Sequence, residues 1–414
     1  MAEMKDSGIE WIGKIPEEWS NIKIKSFYDF EKGKNAQLYT AEYIGKHEGQ
    51  YPVFSGQTEN NGVMGFIDTY DYELNECLFT TTVGAKVMTP KLLKGKFSLS
   101  QNCLIMKPKK ECNNHFFFYC LISLFDYEKG AIPSYMQPSL RIDDLKKYGF
   151  YIPDLENQNR IADFLDKKCA EIDTLHSDIE KQIHILGEYK KSIITEVVTR
   201  GLDPDVEMKD SGSVYWKDIP ANWKLSDIKY LFEIVKRIAG KEGYDILSVT
   251  QKGLKIKDIS RNEGQIAESY AIYQFVYPTD YVMNHMDLLT GWVDCSKYFG
   301  VTSPDYRVFR LKDKKNNLNY YKYIMQCCYM DRIFYSLGQG VSNLGRWRLQ
   351  TESFNNFQIP VPPAKEQEQI AKYLDEKCIE IENIILDKQQ QLETLEQYKK
   401  SLIYEYVTGK KEVK

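Results

Sequence analysis

No hydrophobic run in this 414-residue chain is long enough to cross a bilayer. The longest, such as residues 116–121, fall far short of the ~20 apolar residues a spanning helix needs. The opening Met1-Ala2-Glu3-Met4-Lys5-Asp6 lacks the charged-then-apolar pattern of a signal peptide, so a cytoplasmic location is expected. Nine cysteines are present but none forms a Cys-x-x-Cys pair, which argues against a zinc ribbon or a redox motif. The adjacent Cys327-Cys328 has no second pair to complete a site, and ordinary reduced, mostly buried thiols are expected. Five histidines are too few and too dispersed for a metal centre; His176 and His184 fall in a helical stretch and read as surface residues. Also missing are a Gly-x-x-x-x-Gly-Lys-Ser/Thr phosphate loop, a Gly-x-Gly-x-x-Gly fingerprint and the Asn/Asp-Pro-Pro-aromatic signature of amino-methyltransferases. Asp143-Asp144 with Lys146 comes nearest to a metal-dependent nuclease site, and reads as a solvated turn or helix start. An enzyme in its own right is not expected, nor a cofactor or metal held by this chain.

The formal charge of −4 argues mildly against nucleic acid as a partner, because phosphate needs local positive charge. That average conceals segregation. Residues 78–110 contain no acid but seven lysines (86, 91, 94, 96, 107, 109 and 110). The acids concentrate in helical stretches. A solvated lysine face is the plain alternative.

An internal repeat organises the chain. Met4-Lys5-Asp6-Ser7-Gly8 returns as Met208-Lys209-Asp210-Ser211-Gly212, Ile15-Pro16 as Ile219-Pro220, and Trp19 as Trp223. Further on, Gln158, Ile161, Ala162, Leu165, Asp166, Lys168 and Cys169 recur as Gln367, Ile370, Ala371, Leu374, Asp375, Lys377 and Cys378. Tyr189-Lys190-Lys191-Ser192 likewise becomes Tyr398-Lys399-Lys400-Ser401. A period this long excludes a solenoid of short repeats. The order is globular segment, helix, globular segment, helix. The boundaries fall at residues 1–150, 151–205, 206–358 and 359–414.

From Gln158 to about Thr199 there is no proline, and Ile161, Leu165, Ile172, Leu175, Ile179, Leu186, Tyr189 and Ile193 recur in steps of three, four or seven. The second copy shows Ile370, Leu374, Ile381, Ile384, Leu395, Tyr398 and Leu402. These are coiled-coil-like stripes with charged flanks. Neither stripe can be buried alone, so an antiparallel pair follows, with a pseudo-twofold relation between the halves. The globular segments read as mixed and mainly strand, with helices near 114–127 and 319–335. The fold class is therefore α+β: two strand-rich domains joined by two long antiparallel helices.

In this arrangement the chain resembles the specificity subunits of type I restriction–modification enzymes over nearly its whole length. The likeness rests on Asp6-Ser7-Gly8 through Ile15-Pro16 and Trp19, and on Thr81-Thr-Val-Gly-Ala-Lys-Val followed by Phe97-Ser-Leu-Ser-Gln-Asn, similar to a central strand pair. It rests also on Ile359-Pro-Val-Pro-Pro-Ala-Lys-Glu-Gln-Glu-Gln-Ile. The first copy of the last stretch, starting at Ile152, lacks the double proline. The resemblance implies two target-recognition domains, each reading half of a split site on double-stranded DNA. It implies helices that space the domains and dock two modification (methyltransferase) subunits, with S-adenosylmethionine bound on those partners. It leaves a place for motor-nuclease restriction subunits. A helix over 172–198 is ~40 Å long at ~1.5 Å per residue, close to the ~34–36 Å between half-sites one DNA turn apart. The rod would then act as a ruler.

Two loops occupy matching places before the Ile-Pro junctions, at residues 130–141 and 338–348. Both are rich in Gly or Pro and end in arginine. Gln and Asn suit adenine edges, Arg suits guanine, and hydroxyls hold phosphate. Candidate base readers are Ser134, Tyr135, Gln137 and Arg141 in the first loop, with Ser342, Asn343, Arg346, Trp347 and Arg348 in the second. Candidate phosphate holders are Lys86, Lys91, Lys94 and Lys96, with Lys252, Lys255, Lys257 and Arg261 in the second domain. Residues 55–62 form a further possible reading loop. The rival from another class is a coiled-coil scaffold with two protein- or glycan-binding ends, separable by salt-dependent binding to duplex DNA.

Overall fold

The computed structural model describes residues 3–56, 60–84, 87–133, 135–136, 138–258, 269–340 and 347–413. Its packing forms two compact units, Met1–Ile179 with Gln390–Lys414, and Glu180–Gln389. The sequence boundaries mark where strand gives way to helix. The packing boundaries fall inside the two long helices instead, because each half-helix contributes to the core of the unit it lies in.

In the first unit six strands form one sheet in the order Tyr28–Lys32, Cys103–Pro108, Tyr72–Thr81, Lys91–Leu99, Glu48–Phe54, Val63–Ile67. Neighbours are antiparallel except Glu48–Phe54 and Lys91–Leu99, which run parallel. The sheet curls, so that Cys103 Sγ reaches Phe54 O at 3.6 Å. Both of its faces are apolar, and successive side chains alternate between them. Leu78, Leu104 and Met106 face the large core with Phe116, Phe117, Leu121 and Leu124 of the helix Asn114–Ala131. Phe79, Cys103 and Ile105 face a smaller core with Tyr72 and Phe97. This explains the unbroken run Cys103-Leu-Ile-Met. Of the segment 81–87, read from sequence as strand, Thr81 ends the strand Tyr72–Thr81 and residues 82–84 belong to the connection after it; residues 85–86 lie outside the described residues.

The second unit contains a four-stranded antiparallel sheet, ordered Phe232–Val235, Arg307–Leu311, Tyr281–Met283, Val293–Cys295. The same alternation recurs: Tyr281, Met283 and Phe309 join the main core, Val282 and Val308 a second one. The helix Leu318–Met330 takes the place that Asn114–Ala131 holds in the first unit.

The repeated residues are mostly structural joints. Asp6 Oδ1 and Asp210 Oδ1 accept from the N–H of Gly8 and Gly212, both at 2.9 Å, across turns where the glycines have φ +67° and +71°. Lys5 and Lys209 donate to the carbonyls of Trp19 and Trp223 at 3.3 and 2.7 Å. Gln158 donates to Pro153 O and accepts from Asn113 N; Gln367 does the same with Pro362 O and Asn317 N. Tyr119 and Tyr323 donate to Asp166 and Asp375 at 2.8 and 2.7 Å. Lys400 pairs with Asp126 at 2.9 Å, and Lys191 with Asp331 at 3.6 Å. The last three joints each tie a domain helix or one of its caps to a long helix.

Those long helices are Leu155–Arg200 and Ala364–Val407. Gly201 (φ +79°) and Gly409 (φ +68°) end them in the left-handed conformation that costs glycine least. Within each unit the helices run antiparallel. In the first, Phe164 stacks near Tyr406 (4.5 Å) and Asp173 pairs with Lys399 (2.6 Å). In the second, Lys190 pairs with Glu382 and Lys388 with Gln182. Four side chains expected in the stripe lie outside it: Leu175, Tyr189, Ile384 and Tyr398 are 49%, 56%, 39% and 54% exposed. Among the described residues no helix is long and apolar enough to cross a membrane, and no His/Cys/Asp/Glu cluster could hold a metal. All nine cysteines are free thiols, seven of them buried.

Candidate nucleic-acid interface

In the first unit several turns converge on a cleft of about 500 Å³ lined by Gln37, Thr40, Ser55, Gly56, Ser100, Gln101 and Asn102, with Tyr39, Met64 and Val83 as its apolar part. The turn after Lys91–Leu99 is held by Ser100 N–H to Phe54 O and by Thr82 N–H to Asn102 O, both 2.8 Å. Asn102 sits at φ +63°, tolerated because its short side chain suits that region. Among the described residues the side-chain amides of Gln37, Gln101 and Asn102 make no bond to protein, and all three are exposed. Sequence reading did not single them out as readers: Gln101 and Asn102 share one turn, at the end of Phe97-Ser-Leu-Ser-Gln-Asn, and Gln37 joins them from a separate turn. Ser55 and Asn61–Gly62, in the loop held as a possible reader, flank the same region; residues 57–59 lie outside the described residues.

The predicted loop 130–141 meets this rim. Val83 pairs with Ser139 in an isolated antiparallel bridge, Leu140 N–H donates to Thr82 O at 2.8 Å, and Leu140 is buried. Tyr135 stands 86% exposed. Arg141 is exposed at the start of the short helix Ile142–Leu145 and forms no ion pair among the described residues. The nearby acids are engaged elsewhere, Asp143 with Lys146 and Asp144 with Lys147, which confirms them as a solvated helix start. Ser134 and Gln137 lie outside the described residues.

In the second unit the corresponding loop is closed by a bridge between Gln339 and Arg348. Arg348 projects from it exposed and forms no ion pair among the described residues. Trp347 is engaged within the loop: its indole Nε1 donates to Tyr335 O, its ring stacks on Tyr335 at 5.4 Å, and it packs over Gly338. It buttresses the loop. Leu349, the repeat partner of Leu140, is fully buried behind it. Ser342, Asn343 and Arg346 lie outside the described residues.

The lysines divide by how occupied they are. Lys94, Lys252 and Lys255 are exposed without a partner among the described residues. Lys91 donates to Asn61 O, and its partial burial lowers its pKa. Lys96 is partly engaged: Glu73 lies 3.8 Å away, and the rings of Tyr70 and Tyr51 lie beneath its ammonium at 4.7 and 5.8 Å. Lys257 is anchored through its backbone N–H to Ile246 O. Lys86 and Arg261 lie outside the described residues.

With this geometry in place, similarity to known proteins is informative. The type I restriction modification DNA specificity domain matches twice, over residues 16–184 and 220–394. A Mycoplasma pneumoniae chain provisionally named a type I specificity subunit is 31% identical over 242 residues, covering 53% of this chain and 64% of that protein. The specificity subunit of a Methanocaldococcus jannaschii type I restriction enzyme, MjaVIII, is 24% identical over 422 residues, covering 97% of this chain and 95% of that protein. Among solved structures, a chain from a study of assembly and conformational transition in a type I R-M system superposes with a TM-score of 0.66. It is 11% identical, covering 95% of this chain and 98% of that one, and so speaks to the fold. Two specificity domains in tandem, matched across most of the chain, establish that this protein belongs to the family of type I restriction–modification specificity subunits, with two target-recognition domains.

Proposed function

We propose that this chain is the non-catalytic reader of a cytoplasmic type I complex, recognising one half of a split duplex site with each unit. The observation that carries this reading is a device shared by two differently ordered sheets. Each unit presents a Gly- or Pro-rich loop pinned by a buried leucine (Leu140, Leu349) beside an exposed arginine (Arg141, Arg348) that forms no ion pair among the described residues. Guanidinium without an acidic partner is suited to guanine O6/N7 or to phosphate. Tyr135 and the amides at the cleft rim extend the first reading surface, and Lys94, Lys252 and Lys255 hold backbone phosphate.

The long helices dock two methyltransferase subunits. Leu175 and Ile384, and Tyr189 and Tyr398, are exposed apolar side chains at matching repeat positions, so one partner type finds the same contacts twice. S-adenosylmethionine binds on those partners, and where the system also restricts, a motor-nuclease subunit joins.

Selection from a duplex library by the assembled complex, at two salt concentrations, tests the reading. A bipartite motif is expected, with affinity falling steeply as salt rises. Lys94→Ala should shallow the log–log salt slope by about 0.9 without altering the motif. Salt-independent binding without sequence preference would favour the scaffold alternative.

A further inference from the structure

The second unit buries a guanidinium without an acid beside it. Arg307, which opens the strand Arg307–Leu311, is 4% exposed, and among the described residues no Asp or Glu pairs with it. Burying an uncompensated cation is costly, and a site serving packing alone is better filled by an apolar side chain of similar volume. One arm of its fork, Nη1, lies 4.0 Å from Met283 Sδ; the other grips one short stretch of chain. Nη2 donates to Leu349 O at 3.1 Å and to Thr351 Oγ1 at 3.3 Å, while its Cζ lies 4.5 Å from the centre of the Phe354 ring.

The segment so gripped is the returning leg of the recognition loop. Leu349 follows Arg348 directly, and its N–H donates to the carbonyl of His285 at 3.0 Å. Trp347 O accepts from Leu288 N–H at 3.2 Å, and Arg348 exchanges both backbone bonds with Gln339 at 2.9 and 3.1 Å. Three consecutive residues thus have nearly every backbone polar group assigned. Arg307 closes the set on the inner side through Leu349 O. His285, also buried, leaves Nδ1 without a partner, so no carboxylate-like acceptor is offered there either. Two cations with no acid between them also repel, which favours an outward guanidinium at Arg348.

We propose that Arg307 is a positioning residue for DNA specificity: it touches no DNA, and fixes the height and angle at which Arg348 leaves the domain. The inference rests on the reading that the Arg348 loop contacts the second half-site. A buried fork bonded to the loop backbone sets geometry in the way that locked supporting residues preorganise a binding group.

The test uses the full chain assembled with its methyltransferase partners and duplex libraries randomised in one half-site at a time. Arg348→Ala examines the underlying reading. Arg307→Met, Arg307→Lys and Thr351→Val examine the inference. Arg307→Met should leave the melting temperature unchanged or raised, and leave first-half-site preference and non-specific affinity intact. It should flatten second-half-site preference about tenfold or more. Arg307→Lys, which keeps one bond to Leu349 O, should recover part of that preference, and Thr351→Val should lose part of it. If Arg348→Ala has no effect on the motif, the reading of the loop fails and takes the inference with it. If Arg348→Ala flattens the second half-site while Arg307→Met leaves it sharp, the positioning role alone is overturned. Should Arg307→Met not fold, unchanged preference in both Arg307→Lys and Thr351→Val overturns it equally.

Discussion

At Asn102 backbone and side chain make separable contributions. Its carbonyl holds the Thr82 N–H and its φ is positive, whereas its side-chain amide makes no hydrogen bond among the described residues. Asn102→Gly keeps the backbone and deletes the amide, since glycine adopts this conformation freely. It should leave the melting temperature within a degree or two and relax one base pair of the first half-site, by roughly 1–3 kcal/mol of discrimination. An unaltered methylated motif in cells carrying the variant removes Asn102 from the readers. His285 shows a different kind of dependence. Burial, with Arg307 and Arg348 adding their charges, pushes its imidazole down to about 3. The folded protein holds it neutral, while the unfolded chain gains a proton below about pH 6.5. Its contribution is therefore complete above that pH and is lost progressively as pH falls toward 3. Melting curves from pH 7 to 5, where most carboxylates stay ionised, should show falling stability that His285→Phe flattens.

Among the elements, the helix ends make the sharpest test of why the repeat exists. A Cβ on Gly409 would stand 2.5 Å from Pro16 Cδ and 3.0 Å from Trp19 Cζ2, and the backbone there already has positive φ. At Gly201 the nearest atoms are Glu366 Oε1 at 3.0 Å and Trp223 Cζ2 at 3.4 Å. Gly409→Ala should thus destabilise the first unit by about 1–3 kcal/mol, more than Gly201→Ala does the second, because a flexible carboxylate yields where a proline ring does not. Hydrogen exchange resolved by peptide measures each unit separately. The same pair explains what the sequence discloses. Ile-Pro, Trp and the terminal glycine recur because they build one packed corner, and Gln158/Gln367 and Asp166/Asp375 recur because each closes a joint. Periodicity therefore located both helices and their direction. It could not tell Leu175 and Tyr189 from core, since spacing alone does not say which turn has a partner opposite. Thr81-Thr-Val-Gly resembled part of a central strand pair, yet the strand ends at Thr81 and Val83 bridges to Ser139. Of the proposed readers, the two arginines were recoverable from loop composition, whereas Gln37 was not, since only the fold brings its turn to that of Gln101 and Asn102.

For the whole molecule the consequence of paired helices is that spacing is a property of both together. Asp173–Lys399 in the first unit and Lys190–Glu382 in the second are the pairings on either side of residues 179–186. Lengthening one helix alone would shift its partner out of register, so the ruler expectation calls for matched insertions, within 179–186 and within 386–395. Four residues in each add ~6 Å and nearly a full turn. The recognised gap should widen by one or two base pairs at ~3.4 Å each, with both half-sites unchanged. Two residues in each should rotate the facing by ~200° and abolish recognition. Methylome sequencing reads both outcomes, and an active four-residue variant with the original gap would show that the helices dock partners without measuring DNA.

The duplicated joints also hand each unit its own chemical clock. Cys169 and Cys378 occupy the same repeat position and are buried, and burial raises each thiol's pKa against a partial lowering by the Tyr119 or Tyr323 hydroxyl. Both thiols are pushed above the usual range, and the thiolate is the species that reacts with alkylating reagents. While its unit stays closed, each cysteine should therefore be inert at neutral pH, and its labelling rate becomes the rate at which that unit opens. Mass spectrometry of the two peptides, from one native chain with no engineered probe, then yields two opening rates side by side. Equal rates that slow together when methyltransferase subunits bind would mean the halves breathe as one; unequal rates would identify the half whose domain comes loose first.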